Sequence, residues 1–166
     1  MSSAPYRVIP LENGHERTTF KSASETLNRY FQQQVTQDVR RRVAACFVAM
    51  DGEQRVAGYY ALAAASVLLA DLPDATAKKL PRYPSVPAIR MGRLAVDQGF
   101  KGRGLGGALL ADALERAARS EIAAFAFVVD AKDDTAAAFY VHHGFVALPD
   151  TPSTLFLPLA TVRGLV

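Results

Sequence analysis

The sequence predicts a single α+β domain, and three observations carry that expectation. Two apolar runs, Cys46 to Met50 and Arg55 to Ala65, flank Asp51-Gly52-Glu53, a hairpin signal that puts antiparallel strands near the middle of the chain. A strand-like stretch, Ala88 to Val96, runs into a glycine-rich turn and then into Leu105 to Arg119, where Leu109, Leu110, Ala113 and Leu114 recur at amphipathic helical spacing. A chain of 166 residues, 50% hydrophobic and 21% charged, has the size and composition of one globular core. The expected domain is 1–166 in one piece.

The remaining elements follow in chain order. Tyr6 to Leu11 reads as a first strand, with Asn13-Gly14 as the turn after it. Ser22 and Glu25 have capping-box spacing, and Leu27, Tyr30, Phe31 and Val35 fall on one helical face, so a helical region with room for a break extends to Arg42. Beyond the hairpin, Asp74 to Leu80 is a short helix closed by Pro81. The apolar run Ile122 to Val129 suits a buried strand, and Asp133 or Asp134 caps a helix through Phe139 and Tyr140 to Gly144. Short strands around Phe145 and Leu155 close the chain, which shows no internal repeat and no low-complexity tract.

Several function classes are excluded early. The longest nearly apolar run, Tyr59 to Ala70, falls short of the roughly 18 residues of a membrane span, and Met1 to Arg7 lacks a signal-peptide layout, so a cytoplasmic protein with no membrane partner is expected. Cys46 is the only cysteine, which rules out an intrachain disulfide and a thiolate metal cluster and points to core packing; no metal is expected. Net charge is only +3, yet residues 72–119 hold nine Lys or Arg against four acids, a local +5 that suits an anionic partner.

The glycine loop, Gln98-Gly-Phe-Lys-Gly-Arg-Gly-Leu-Gly-Gly107, is where an anion belongs. Its glycines allow sharp turns that leave several N–H groups aimed at one spot, the following helix adds its positive end, and Lys101 and Arg103 add full charges. A diphosphate fits this arrangement. A nucleotide-hydrolase loop does not, because no Lys-Ser or Lys-Thr follows the glycines. Gly102, Gly104 and Gly107 do satisfy a G-x-G-x-x-G pattern, but a dinucleotide site normally sits on the first strand of a parallel βαβ unit, and this loop comes after a hairpin with no room for a substrate domain.

The residues Arg93-Leu-Ala-Val-Asp97 followed by Lys101-Gly-Arg-Gly-Leu-Gly106 resemble the cofactor motif of the GNAT acetyltransferases, with Lys101 where that pattern has Gln or Arg. Ala137-Ala-Phe-Tyr-Val-His-His-Gly-Phe145 is similar to a second signature of the family, and the order of elements matches over nearly the whole chain. The resemblance implies a GNAT fold: an α+β architecture with a mixed, mostly antiparallel central sheet of six to seven strands, about four flanking helices and a V-shaped splay between strands four and five. It implies acetyl-CoA as cofactor, held by Leu94, Ala95 and Val96 through backbone groups and by Lys101, Gly102, Arg103, Gly104, Leu105, Gly106 and Gly107 around the diphosphate. It also implies Tyr140 as the catalytic general acid, a role that a phenol with an ordinary pKa about 10 can fill. No general base is evident, and an α-amine with pKa about 8 is already partly neutral. His142 and His143 read as solvent-facing cations at a helix end, and His15, in a loop, is a weaker base candidate still.

Within that family the chain is most similar to toxin acetyltransferases of bacterial toxin–antitoxin pairs, on Leu27-Asn-Arg-Tyr-Phe31, Gln37-Asp-Val-Arg-Arg41, Gly58-Tyr-Tyr-Ala-Leu62 and Arg90-Met-Gly-Arg-Leu-Ala-Val-Asp97. The likeness implies acetylation of the α-amine of aminoacyl-tRNA, a block of translation, a ribbon-helix-helix antitoxin and a homodimer. Transfer RNA demands sequence-independent phosphate contacts, for which Arg90 and Arg93 rank first, then Arg40 and Arg41, with Arg42, Lys78, Lys79 and Arg82 behind them. Acetylation of a small amine or protein amino group stays open, as does a nonenzymatic module that only holds coenzyme A.

Overall fold

The computed structural model describes residues 6–163, which form seven strands and six short to medium helices. In chain order these are β1 (Arg7–Pro10), α1 (Glu25–Arg29), a π turn (Tyr30–Gln34), α2 (Val35–Arg40), β2 (Ala45–Met50), β3 (Val56–Leu68), α3 (Asp74–Ala77) and β4 (Ser85–Val96). They continue with α4 (Leu105–Arg119), β5 (Ala126–Asp130), α5 (Asp134–His142), β6 (Val146–Leu148), β7 (Thr151–Pro158) and α6 (Leu159–Arg163). The strands follow the order β1-β2-β3-β4-β5-β7-β6. The sheet is mixed: β1, β2 and β3 pair antiparallel, β4 and β5 pair parallel, and β7 pairs antiparallel with both β5 and β6. The parallel pairing is short, Ala88–Met91 with Ala126–Val129, and ends before β4 does.

The chain divides into two compact units, one holding residues 1–63 and 92–113, the other residues 64–91 and 114–166. Long strands β3 and β4 run through both. The first unit is built on an aromatic core. Phe31 stacks on Tyr59 with ring centroids 4.3 Å apart, and Phe20 meets both rings edge-on. Cys46, Val48, Met50 and Ala95 close round them, and burial pushes the Cys46 thiol up to about 12. The α4 helix packs closely because position 58 is glycine: a Cβ there would lie 2.8 Å from Leu109 and 2.9 Å from the Ala95 carbonyl oxygen. In the second unit Val67, Leu72, Val86, Ala88, Val128 and Phe156 form the core.

Local chemistry explains where the structure departs from the sequence expectations. The α1 helix is capped by Ser24, whose Oγ accepts from the Leu27 amide at 3.2 Å. Ser22, two residues earlier, is buried and donates instead to the Asn28 side chain at 2.7 Å. The break in this region is the π turn, where Arg17 donates to the Phe31 carbonyl at 3.0 Å, a partner from outside the helix, and the Gln32 side chain ties the turn to the Phe20 carbonyl at 2.9 Å. The hairpin turn does not use Gly52 for a left-handed residue. Gln54 takes that conformation at φ 65°, and the Asp51 carboxylate accepts from the Glu53 and Arg55 amides, which makes a three-residue loop with a bulge at Met50. Ile122 is 83% exposed and the strand begins only at Ala126, so the apolar run there overstates β5. The β4 strand starts earlier than expected, at Ser85.

Candidate active site

In the first unit the glycine loop is tied down before it begins. Asp97, at the end of β4, donates its amide to the Ala57 carbonyl at 2.8 Å, and its carboxylate accepts from the Gly99 and Lys21 amides, each at 2.8 Å. The Gln98 amide reaches the Lys21 carbonyl at 2.8 Å, and Phe100 is buried beneath the short turn that follows. Asp97 is a loop anchor that the sequence signals only through Asp-x-Gly, the pattern of a side chain that caps its own turn.

From Lys101 to Gly104 the chain is exposed, and Gly102 and Gly104 adopt φ of 77° and 76°. A Cβ at either would touch nothing within 4 Å, so glycine is needed for its backbone freedom rather than for space. The first α4 bond runs from the Ala108 amide to the Gly104 carbonyl at 3.1 Å. The amides of Leu105, Gly106 and Gly107 precede it and form the positive end of a 15-residue helix. With Lys101 and Arg103 beside them, these groups fit a diphosphate. Leu94 and Val96 are half-buried on β4 and Ala95 is in the core. Arg103 and Arg55 lie over the Phe100 ring, 5.4 and 5.3 Å from its centroid, at the edge of a cleft of about 310 Å³ that Glu16 and Gln54 also line.

The same unit holds Arg93, Arg40, Arg41 and Arg42, all candidates for phosphate contact. Arg93 is not free: its guanidinium sits 3.6 Å from the Tyr30 ring centroid, a close cation–π contact. Tyr30 donates its hydroxyl to Asp38 at 2.8 Å, and Gln34 donates to the other carboxylate oxygen at 3.1 Å. Burial, then the Asp38 bond, holds the Tyr30 hydroxyl well above the ordinary phenol range. The Gln34 bond, followed by the Tyr30 bond, lowers the Asp38 carboxyl. Arg40 and Arg41, at the end of α2, are exposed.

In the second unit, Tyr140 is fixed by the way α5 ends. Asp133 caps the start, accepting from the Ala136 amide at 2.8 Å. At the other end Gly144 takes φ 96°, the Phe145 amide reaches the Tyr140 carbonyl at 3.1 Å, and the Gly144 amide reaches the Val141 carbonyl at 3.0 Å. This pair of bonds is a Schellman cap, and its usual hydrophobic contact is the Phe145 ring against the Tyr140 ring, 5.5 Å between centroids. The signature from Ala137 to Phe145 therefore encodes a helix end that orients one tyrosine. Tyr140 is 7% exposed, and burial, with a smaller contribution from the Asp130 charge, pushes its hydroxyl up to about 12. Arg90 forms an ion pair with Asp130, which also accepts from Thr154 at 3.0 Å. His142 and His143 are exposed.

Residues 42–147 match the model of the acetyltransferase (GNAT) domain. A tRNA-acetylating toxin of Mycobacterium tuberculosis is 38% identical over 167 residues, covering 99% of this chain and 96% of the relative. A probable toxin TacT of Sinorhizobium fredii is 30% identical over 176 residues, covering 99% and 97%. Among solved structures, AtaT complexed with acetyl-methionyl-tRNAfMet has a TM-score of 0.89 at 26% identity, covering 96% of this chain and 98% of that one. A tyrosine-to-phenylalanine mutant of KacT shares the fold with a TM-score of 0.90 at 24% identity, covering 98% and 100%.

Proposed function

We infer the function from one premise: the chain belongs to the GNAT acetyltransferases. It is an acetyl-CoA-dependent N-acetyltransferase that acts on the α-amino group of aminoacyl-tRNA, and so blocks translation as the toxin of a toxin–antitoxin pair. The observation that carries the enzymatic reading is the loop, which brings together two left-handed glycines, the three leading amides of a 15-residue helix, and the exposed Lys101 and Arg103. The substrate is supported by the full-length likeness to a tRNA-acetylating toxin and by the AtaT complex with acetyl-methionyl-tRNA. The reading extends to a cytoplasmic homodimer of single-domain subunits restrained by a ribbon-helix-helix antitoxin.

Acetyl-CoA supplies an activated thioester. Lys101, Arg103 and the amides of Leu105, Gly106 and Gly107 hold its diphosphate, while Gly102 and Gly104 give the loop its shape and the backbone of Leu94, Ala95 and Val96 lines its arm. Tyr140 holds a proton on Oη throughout the neutral range and presents it to the departing sulfur. As the C–N bond forms and the C–S bond breaks, the Tyr140 hydroxyl donates to the sulfur that takes the electron pair, and the proton that the amine sheds on becoming an amide balances the one that the thiolate gains. Arg40 and Arg41, exposed and without an ion pair among the described residues, would meet phosphates. Arg90 and Arg93 would do so only by sharing Asp130 and the Tyr30 ring, respectively.

The test is incubation of the purified protein with labelled acetyl-CoA and bulk aminoacyl-tRNA. Label in the nucleic acid that alkali releases as N-acetyl amino acid is the expected result. Acetyl-CoA binding with no label transferred would overturn the substrate assignment.

A further inference from the structure

Residues 69–84, which join β3 to β4, display groups that acetyl transfer does not use. Lys78, Lys79 and Arg82 are exposed, and Tyr83 beside them is 64% exposed. Among the described residues none of these four side chains has an ion pair, a side-chain hydrogen bond or a ring contact. Other arginines are committed: Arg90 to Asp130, Arg55 to Asp51 and Arg119 to Glu115 by ion pairs, and Arg93 to the Tyr30 ring.

The exposed groups stand on a firm base. The Lys78 amide bonds the Asp74 carbonyl at 3.0 Å, Lys79 bonds Thr76 at 3.1 Å, and Tyr83 bonds Pro81 at 2.8 Å, while Leu72, Ala77 and Leu80 pack into the core of the second unit. Asp71 and Asp74 offset part of the charge, yet residues 78–83 themselves carry three cations and no acid. Three unpaired cations at nearly consecutive positions suit a ligand with regularly spaced negative charge, and an exposed aromatic face among them suits an unstacked base. An acidic peptide would satisfy the cations and leave the ring without a partner.

We propose that Lys78–Tyr83 is an RNA-contact surface, with Lys78, Lys79 and Arg82 on phosphates and Tyr83 stacked on an unpaired base. The aminoacyl-tRNA reading supplies the identity of that RNA, because the amino acid rides on a single-stranded end.

The experiment measures anisotropy of fluorescent, deacylated bulk tRNA on the whole protein across a salt series. Replacing Lys78, Lys79 and Arg82 together by alanine lowers the slope of log affinity against log salt by about two, since each phosphate contact on a single strand contributes about 0.7. Tyr83→Ala weakens binding about tenfold, and Tyr83→Trp restores it. Acetyl-CoA binding, followed in the same variants, stays at the wild-type level. Unchanged tRNA affinity and slope in the triple variant, or an unchanged affinity in Tyr83→Ala, overturns the proposal, and so does a triple variant altered only in its self-association or its binding of an acidic protein. If the wild type binds tRNA through this surface and yet transfers no acetyl group to it, the substrate reading fails while the surface stands.

Discussion

Replacing Tyr140 by phenylalanine keeps the ring against Phe145 and the Schellman cap, and removes only the hydroxyl. The hydroxyl is the one group removed, so the loss expected is at least that of a hydrogen bond to a charged group, about 1.5 to 3 kcal/mol, or about 10 to 150-fold in kcat. The loop is untouched, so KM for acetyl-CoA stays near the wild-type value. The pH profile provides a second readout. Burial raises the folded pKa above the unfolded 10, so the neutral form is favoured, and stability from this group is intact below pH 10 and lost as pH rises toward about 12. The wild-type rate should therefore show no alkaline fall due to Tyr140 between pH 7 and 10. Steady-state kinetics of both proteins across that range, with a phenolate absorbance titration, test the reasoning. An unchanged kcat in Tyr140→Phe would refute the donor role, and an alkaline limb near pH 9 present only in the wild type would refute the burial argument.

Other perturbations test the supports of the site. Gly144→Ala places a side chain at φ 96°, and thermal unfolding should show a loss of about 1 to 3 kcal/mol with lower kcat as Tyr140 shifts; wild-type stability would contradict the assigned cap. Gly58→Ala drives a Cβ to 2.8 Å from Leu109 and 2.9 Å from the Ala95 carbonyl, at a cost of about 1 to 3 kcal/mol in denaturant unfolding, and a neutral result would mean that α4 is less closely packed than described. Asp97→Ala leaves the Gly99 and Lys21 amides without their acceptor, and the expected signature is a several-fold higher KM for acetyl-CoA with a smaller change in kcat, measured at saturating acceptor. Equal effects on both constants would remove Asp97 from the role of loop anchor.

What was legible in the sequence is what depends on neighbours along the chain. The α4 helix begins and ends where its spacing says, Asp133 and Gly144 bracket α5, and the loop glycines mark left-handed backbone at Gly102 and Gly104. Each is a conformational demand met within a few residues. Misreadings arose where a local pattern had two solutions. Ser22 and Ser24 can both cap, and the choice is made by Asn28, which takes Ser22 into a buried network. Asp51-Gly52 can form a two-residue turn, but the Asp51 carboxylate and the Arg55 pairing favour the longer loop with Gln54 left-handed.

The arginines show why side-chain roles are harder to read than backbone ones. Sequence position favours Arg90 and Arg93 for phosphate contact because the strand that leads to the loop carries them, and both lie on β4. Their partners, Asp130 and Tyr30, are 40 and 63 residues away along the chain, and no periodicity of β4 announces them. A guanidinium already neutralised by a carboxylate, or seated on a ring, gives less on meeting a phosphate, because the new contact must first displace the old one. The cations ranked lower, Lys78, Lys79 and Arg82, have no such partner among the described residues. Availability, rather than nearness in sequence to the cofactor loop, is therefore the property that ranks cations for binding RNA, and it exists only once the fold has decided which of them are already paired.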